Sequence, residues 1–368
     1  MKIKGFLNRE PVLCIAALLA VLSMCVVPPS AGYADYIDLR VLCLLFDLML
    51  VVAGLQDCGL FVALARRLLA GEKNLRLICL LLVWLPFFSS MLITNDVALI
   101  TFVPFTILIL EMSGQKRQMI WMIVLQTAAA NLGSMATPVG NPQNLFLYGT
   151  FQIPAGQFFA VLLPLTILSL AALSAAALFS GHETIRIGFP EGQKLRNKKQ
   201  LAVCMVLFLL CLLSVFHVLH YGVLTVIAVI GICICSPRLL ARADYGLLVT
   251  FICFFVFAGN MGNVEALHQV ISGVMEKHAL AAAVASSQII SNVPAAVLLS
   301  GFTEDWKSLL VGTNIGGLGT PIASLASLIS LKFYMKTEEA RPWEYLKVFT
   351  AVNVAGLAVL TGYYMLFW

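Results

Sequence analysis

The sequence predicts an all-α integral membrane protein made of two inverted repeats, each with a re-entrant hairpin and a broken transmembrane helix. Three observations predict this. First, hydrophobic residues make up 61% of the 368 and charged residues only 11%, with a mean hydropathy of +0.96; a soluble domain carries about 25% charged residues. Second, apolar runs near the roughly 20 residues that span a bilayer recur along the chain. Third, polar segments of matching sequence interrupt those runs, in the same order in each half.

The first run, Val12–Val27, follows Lys2, Lys4 and Arg9 and precedes Pro28-Pro29-Ser30-Ala31-Gly32-Tyr33-Ala34. That pattern has the form of a signal peptide with a small-residue cleavage site. Its counterpart later in the chain makes it a retained first span instead. The spans are then 11–29, 39–55, 118–150 (interrupted), 158–179, 200–220, 222–236, 245–259, 308–334 (interrupted) and 346–367. Two further apolar stretches, 75–112 and 279–302, are split by polar tips, Thr94-Asn95-Asp96 and Ser291-Asn292-Val293-Pro294.

Charge orients these stretches. Arg66, Arg67, Lys73 and Arg76 precede the first, and Lys116 and Arg117 follow it. Basic loops stay cytoplasmic, so both ends of 75–112 face the cytoplasm and the stretch is a re-entrant hairpin. Around 279–302 stand Glu265, Glu276, Glu304 and Asp305, so the second hairpin enters from outside. Threaded this way, only Arg40, Lys277 and Lys307 of the 23 Lys and Arg lie outside. The N-terminus is cytoplasmic, in the inner membrane of the cell, and the C-terminus is external.

Three segment pairs match collinearly. Val52-Ala53-Gly54 pairs with Phe257-Ala258-Gly259, and Ser89–Asn95 with Ser286–Asn292. Asn131-Leu132-Gly133-Ser134-Met135-Ala136-Thr137-Pro138-Val139 pairs with Asn314-Ile315-Gly316-Gly317-Leu318-Gly319-Thr320-Pro321-Ile322. Opposite orientation of the copies is the inverted-repeat plan of secondary transporters, with the binding site near mid-membrane. The segments divide as 1–60 and 61–180 in the first half, a cytoplasmic loop at 181–199, and 200–260 and 261–368 in the second half.

Irregular backbone at membrane depth leaves polar groups unpaired, at several kcal/mol each in lipid, unless protein, water or ligand satisfies them. At the hairpin tips Asn95 or Asp96, and Asn292, suit an N-cap and Pro294 a first turn. Helix N-termini offer N–H donors and positive dipole character to an anion. Gly133, Gly316, Gly317 and Gly319 free the backbone of the broken spans, and Thr137-Pro138, Asn141-Pro142 and Thr320-Pro321 restart a helix. Carbonyls exposed at such breaks, with Asn and Ser/Thr side chains, make oxygen cages suited to Na⁺.

The tips and the Asn131–Asn144 and Asn314–Gly317 segments resemble the ion transporter superfamily, which includes divalent anion/sodium symporters, citrate transporters, arsenite permeases and some sodium/proton antiporters. The resemblance runs from about residue 40 onward and is specific for the superfamily rather than for a substrate. It implies a homodimer whose scaffold spans, 1–60 and 200–260, hold a mobile transport domain made of transport half 1, 61–180, and transport half 2, 261–368. It also implies that Thr94, Asn95, Asp96, Asn141, Ser291, Asn292 and Thr320 contact substrate. By the same resemblance Asn95, Gly133, Thr137, Asn292, Asn314 and Gly317 hold Na⁺, with Thr320 lining a cage. Three departures matter. Asp96 and Val293 stand where the symporters have Thr, the first spans of larger members are lacking, and no Arg or Lys lies in the apolar interior.

Asp47 and Asp96 are the acids placed deep in the membrane, and either is a candidate to carry a coupling proton. His217 and His220 fall at the outer end of a span and read as interfacial. The ten cysteines lie almost entirely in apolar runs and match no zinc or redox spacing. There is no basic stripe for nucleic acid, and no His-Glu-x-x-His, Gly-x-Ser-x-Gly or paired catalytic Asp for an intramembrane enzyme. The expectation is a secondary active transporter of a small anion, a di- or tricarboxylate, coupled to Na⁺ or H⁺ by elevator-type alternating access. A Na⁺/H⁺ antiporter and an arsenite-type oxyanion exporter are the alternatives. The partners are the anion and membrane lipid.

Overall fold

The polar residues that punctuate the apolar runs set where helices begin. The computed structural model describes residues 10–30, 32–181, 183–187 and 197–367. Lys2, Lys4, Arg9 and most of the 181–199 loop lie outside those residues. The first half of the chain contains α1 (Pro11–Val26), α2 (Leu39–Asp57), α3 (Leu60–Leu69), the strand β1 (Gly71–Asn74) and α4 (Leu75–Ser89). It continues through α5 (Asn95–Met112), α6 (Met119–Ser134), α7 (Pro142–Thr150) and α8 (Ala155–Leu178), before the strand β2 (Thr184–Ile187). The second contains α9 (Lys198–Val215), α10 (Tyr221–Cys235), α11 (Tyr245–Gly262), α12 (Glu265–Ile290) and α13 (Asn292–Ser300). It ends with α14 (Trp306–Ile315), α15 (Leu325–Tyr334) and α16 (Pro342–Phe367). Asp38, Asp244 and Asp305 cap α2, α11 and α14 by accepting from Val41, Leu247 and Ser308 N–H.

Six helices, α2, α5, α8, α9, α11 and α16, are long and apolar enough to cross a membrane. Their outward faces are apolar too. Ile167 on α8, Val206 and Leu209 on α9, Ile230 and Ile234 on α10, and Val354 and Val359 on α16 are exposed. Such a belt suits hydrocarbon, not water. The protein is a multi-pass helical membrane protein.

The bundle has two blocks. In one, α1 packs on α11, and α2 packs on α9 and α10. In the other, α4 and α5 pack on α6, and α12 and α13 pack on α14. The blocks are stitched across the halves, because α7 packs on α13 and α15 packs on α5. The start and finish of the first hairpin stretch meet at one residue: Leu75 N–H donates to the Glu183 carbonyl (2.8 Å), and the Gln115 amide donates to the Glu183 carboxylate. The second closes likewise, with the His268 and Phe302 rings 5.5 Å apart. Lys116 and Glu339 form an ion pair of 2.6 Å, joining the loop after α5 to the loop after α15.

Three features depart from the hydropathy reading. β1 and β2 form a two-stranded antiparallel sheet; the first strand is the polar Gly71–Asn74, and its partner is distant in sequence, so no local apolar pattern marks it. α3 is amphipathic, with Phe61, Ala65 and Leu69 buried at one-turn spacing. α12 begins at Glu265, upstream of the expected 279, because a charged first stretch is helical as well. His278 (φ −141°, ψ 36°) breaks its path where the apolar arm starts.

Candidate functional site

At the tips the N-cap positions fall one residue earlier than the Asn residues suggest, on Thr94 and Ser291. Neither makes a side-chain cap bond. Instead Asn95 Oδ1 accepts from Asp96 N–H (3.0 Å), and Asn292 Oδ1 accepts from Val293 N–H (3.0 Å). The two tips therefore satisfy their first turn in the same way. They differ in strain: Ser291 sits at φ +74°, ψ 154°, a region nearly reserved for glycine.

The breaks correspond in detail. Thr137 Oγ1 donates to the Met91 carbonyl, and Thr320 Oγ1 donates to the Gln288 carbonyl (3.1 Å). A Cβ on Gly133 would lie 2.8 Å from Ser90 Oγ, and one on Gly316 would lie 2.9 Å from Ser287 Oγ. Thr137-Pro138 and Thr320-Pro321 lie in the irregular connections; the restarts come later, at Pro142 under an Asn141 cap and at Leu325 after Ser324.

The two halves meet through reciprocal hydrogen bonds. Asn141 Nδ2 donates to Asn314 Oδ1 (3.1 Å), and Ser324 Oγ donates to Asn131 Oδ1 (3.1 Å). Each bond runs from the restart cap of one half to the asparagine that precedes the break in the other. Asn131 Oδ1 also accepts from Asn95 Nδ2 (2.8 Å), and Asn314 Nδ2 donates to Asn144 Oδ1 (2.6 Å). Asn131 is a hub that the site assignment from sequence omits, although its register with Asn314 marks it.

A cavity of about 430 Å³ reaches this junction between the two blocks, within the range of small-molecule sites. Thr94, Asp96 and Asn141 line its inner end, with Val52 and Gln56 of α2 opposite. Glu10, Arg242, Asp244 and Lys332 stand among its walls. Burial pushes the Glu10 carboxyl above its usual range; the Asp244 carboxylate adds to this and Lys332 opposes it. Asp96 is half-buried, and its Oδ1 is among the buried atoms that have no hydrogen-bond partner within the described residues, as is Asn131 Nδ2. Ser291 and Asn292 are buried, Thr320 is exposed, and none of them lines this cavity. A larger cavity of about 920 Å³, among Glu111, Lys116, Arg117, Lys336 and Glu339, contains no tip residue.

Asp47 stands apart from the tips. It is fully buried on α2, where its Oδ2 accepts from Thr225 Oγ1 of α10 (2.8 Å). His217 lies against Arg40, 2.6 Å from Nη1, beyond the end of α9. Burial, then the Arg40 charge, lowers its affinity for a proton.

Na⁺ is the ion that the resemblance implies at the breaks, and carbonyl oxygens of both breaks already have protein donors. Asn144 Nδ2 donates to the carbonyls of Met135 (3.2 Å) and Thr137 (3.1 Å). Gln288 Nε2 donates to those of Gly316 (2.8 Å) and Leu318 (2.9 Å). The hydroxyls of Thr137 and Thr320 are donors to carbonyls, and Asn314 has both ends of its amide engaged. As arranged here, these residues do not fit a Na⁺ cage.

Comparison with known proteins bears on this architecture. A family model described as a citrate transporter matches residues 3–303. An uncharacterized transporter of Methanocaldococcus jannaschii is 32% identical over 327 residues, 88% of each chain. The inner membrane protein YbiR of Escherichia coli is 28% identical over 338 residues, 90% of this chain and 88% of its own. The silicon efflux transporter LSI3 of rice, Oryza sativa subsp. japonica, is 35% identical over 141 residues, 38% of this chain and 28% of its own. Matched by that family model over most of its length, and by transporters nearly end to end, this chain is a membrane transporter, not an enzyme, and belongs to the citrate transporter family of the ion transporter superfamily.

Proposed function

We propose that the protein is a secondary active transporter that carries a small anion, a di- or tricarboxylate, across the inner membrane with H⁺ as the coupling ion. The observation that carries this reading is the cavity between the blocks, which ends on Thr94, Asp96 and Asn141 where the two halves meet. The cavity mouth, with Glu10, Arg242, Asp244 and Lys332, is the cytoplasmic one by the charge argument, so the arrangement is inward-facing. Movement of the hairpin block against the α1, α2 and α9–α11 block, which carries the inverted repeats past a fixed scaffold, gives alternating access. Meeting of each hairpin's ends supports re-entrant hairpins, and the reciprocal Asn141–Asn314 and Ser324–Asn131 bonds support the inverted repeat.

The chemistry at the tip explains the coupling. Thr94 and the N-terminus of α5 offer a hydroxyl and a helix dipole to an anion. An ionised Asp96 opposes that anion: two unit charges at 4 Å repel by about 4 kcal/mol at an effective dielectric of about 20. Protonation removes the repulsion and makes Asp96 a donor. Anion and proton then favour each other's binding, and by linkage they do so equally.

Asn95→Ala and Asn292→Ala are expected to abolish uptake into proteoliposomes while leaving folded protein, judged by size-exclusion profile and thermal midpoint. Uptake unchanged in both variants removes the assigned site. A thermal-shift screen with mono-, di- and tricarboxylates, sulfate and arsenite gives the substrate class. Two observations favour a second reading, export of a weak oxyacid: Asp96 replaces the symporters' Thr, and the matched relative LSI3 is a silicon efflux transporter. Stabilisation by arsenite or silicic acid without any response to carboxylates selects that reading.

A further inference from the structure

Gln288 occupies the last turn of α12, and every polar atom of its side chain is engaged. Its Nε2 lies 2.8 Å from the Gly316 carbonyl, 2.9 Å from that of Leu318 and 3.3 Å from that of Val284. Its Oε1 accepts from Thr320 N–H (2.8 Å). The backbone makes room for it: Gly319 has φ +106°, and a Cβ there would lie 2.2 Å from Oε1. Three carbonyl oxygens thus surround one nitrogen that carries two protons. Two of these carbonyls, Gly316 and Leu318, belong to the break, and carbonyl oxygens freed in this way are the kind that ligate a small cation; here a neutral donor takes that place.

The first half lacks this arrangement. In register with Gln288 stands Met91, which has no donor to offer. There the break carbonyls of Met135 and Thr137 take their protons from Asn144, at the start of α7, at the longer distances of 3.2 and 3.1 Å. The second half therefore carries its plug on the hairpin itself, next to the strained Ser291. Any shift of the hairpin relative to α14 moves the plug with it.

We propose that Gln288 is the ion-selectivity residue of the second half: its carboxamide is the resident occupant of the broken-helix carbonyl cage, so Na⁺ does not bind there, and replacing the amide opens a monovalent-cation site. This rests on reading the breaks as ion positions, and it is independent of the transported substrate. Gln288→Glu keeps the shape but turns the donor into an acceptor, so the cage oxygens then require a cation. Gln288→Ser removes the plug and leaves a hydroxyl oxygen. Gln288→Lys replaces the amide by a tethered ammonium, a built-in cation.

The test is thermal unfolding of the purified full-length protein in NaCl, KCl and choline chloride at equal ionic strength. Wild type and Gln288→Lys are expected to show the same midpoint in all three salts. Gln288→Glu and Gln288→Ser are expected to gain a saturable, Na⁺-selective rise of roughly 2–6 °C over choline. A saturable Na⁺-selective rise in wild type overturns the proposal whether or not any variant folds. A flat response in whichever of Gln288→Glu and Gln288→Ser folds also overturns it. Should both fail to fold, equilibrium binding of radiolabelled Na⁺ to wild type decides, since stoichiometric binding overturns the assignment and none upholds it. Failure to find a transported carboxylate counts against the function proposed above and leaves this readout untouched.

Discussion

Among the described residues, Asp96 and Asn131 each bring one unsatisfied polar atom to the junction of the halves, an acceptor and a donor respectively. A polar atom left unpaired in a low-dielectric interior costs about 1–3 kcal/mol, and a ligand that pairs with both recovers that energy on binding. Asp96 has no acidic mate, because Val293 holds the equivalent place. Asp96→Asn keeps the hydrogen-bonding shape and removes the titration. Transport of preloaded substrate by exchange is expected to survive in this variant. Accumulation driven by an imposed pH gradient should fall at least tenfold, as measured by radiolabelled uptake in proteoliposomes; a variant that still accumulates substrate on a pH gradient places the proton elsewhere. Asp96, Asn95 and Asn314 were legible because acids and repeated asparagines are rare at membrane depth. Gln288 was not, because a search for matching positions passes over the place where one half has Gln and the other Met91.

The broken helices work by close approach of backbone to backbone. A Cβ on Gly133 would lie 2.2 Å from the Phe87 carbonyl of the hairpin. Gly133→Ala therefore forces α4 and α6 apart, at a cost typical of overpacking, about 1–3 kcal/mol. The expected result is a thermal midpoint lower by several degrees, with reduced uptake. Gly301→Ala, where a Cβ meets nothing within 4 Å, serves as the neutral control; equal behaviour of the two variants refutes the packing argument. At this scale hydropathy located the long spans and both interruptions, since each is a local change in composition. It missed the strand pair, whose partners Glu72 and Arg186 are paired only in the fold, and the first half of α12, whose Glu, Lys and His residues read as a loop. The restart of α7 at Asn141-Pro142 was read correctly, while Thr137-Pro138 and Thr320-Pro321 lie ahead of the helices they were expected to start, because Pro after Thr marks a turn as readily as a helix start.

The proposed movement of one block past the other makes a prediction about covalent links. Gln56 Nε2 on α2 donates to Thr101 Oγ1 on α5 (3.2 Å), a contact between the blocks. Lys116 and Glu339, 2.6 Å apart, both belong to the hairpin block. On a background lacking the ten native cysteines, a Gln56→Cys/Thr101→Cys pair joined by a short reducible cross-linker is expected to arrest uptake, and reductant to restore it. A Lys116→Cys/Glu339→Cys pair joined in the same way is expected to leave uptake within about twofold of the unlinked protein. Full activity in the first linked variant argues against relative motion of the blocks. The expectation of opposed halves followed from the matched segments and the charge bias, both properties of the linear chain, whereas the division into scaffold and transport blocks came from the family resemblance. Which helix of one half leans on which hairpin of the other was out of reach, since side chains choose those partners only in three dimensions.

That cross-leaning has a consequence for biosynthesis. The ribosome completes α5 long before α15, the helix that packs on it, and α7 long before α13. Until the chain has reached Tyr334, Asp96 lacks the helix that walls its cavity, and Asn131 lacks its bond from Ser324. The nascent first half is thus an unfinished object in the bilayer, with polar groups seeking partners that do not yet exist. Completion of the cavity in this transporter therefore waits on synthesis of the second half of the chain.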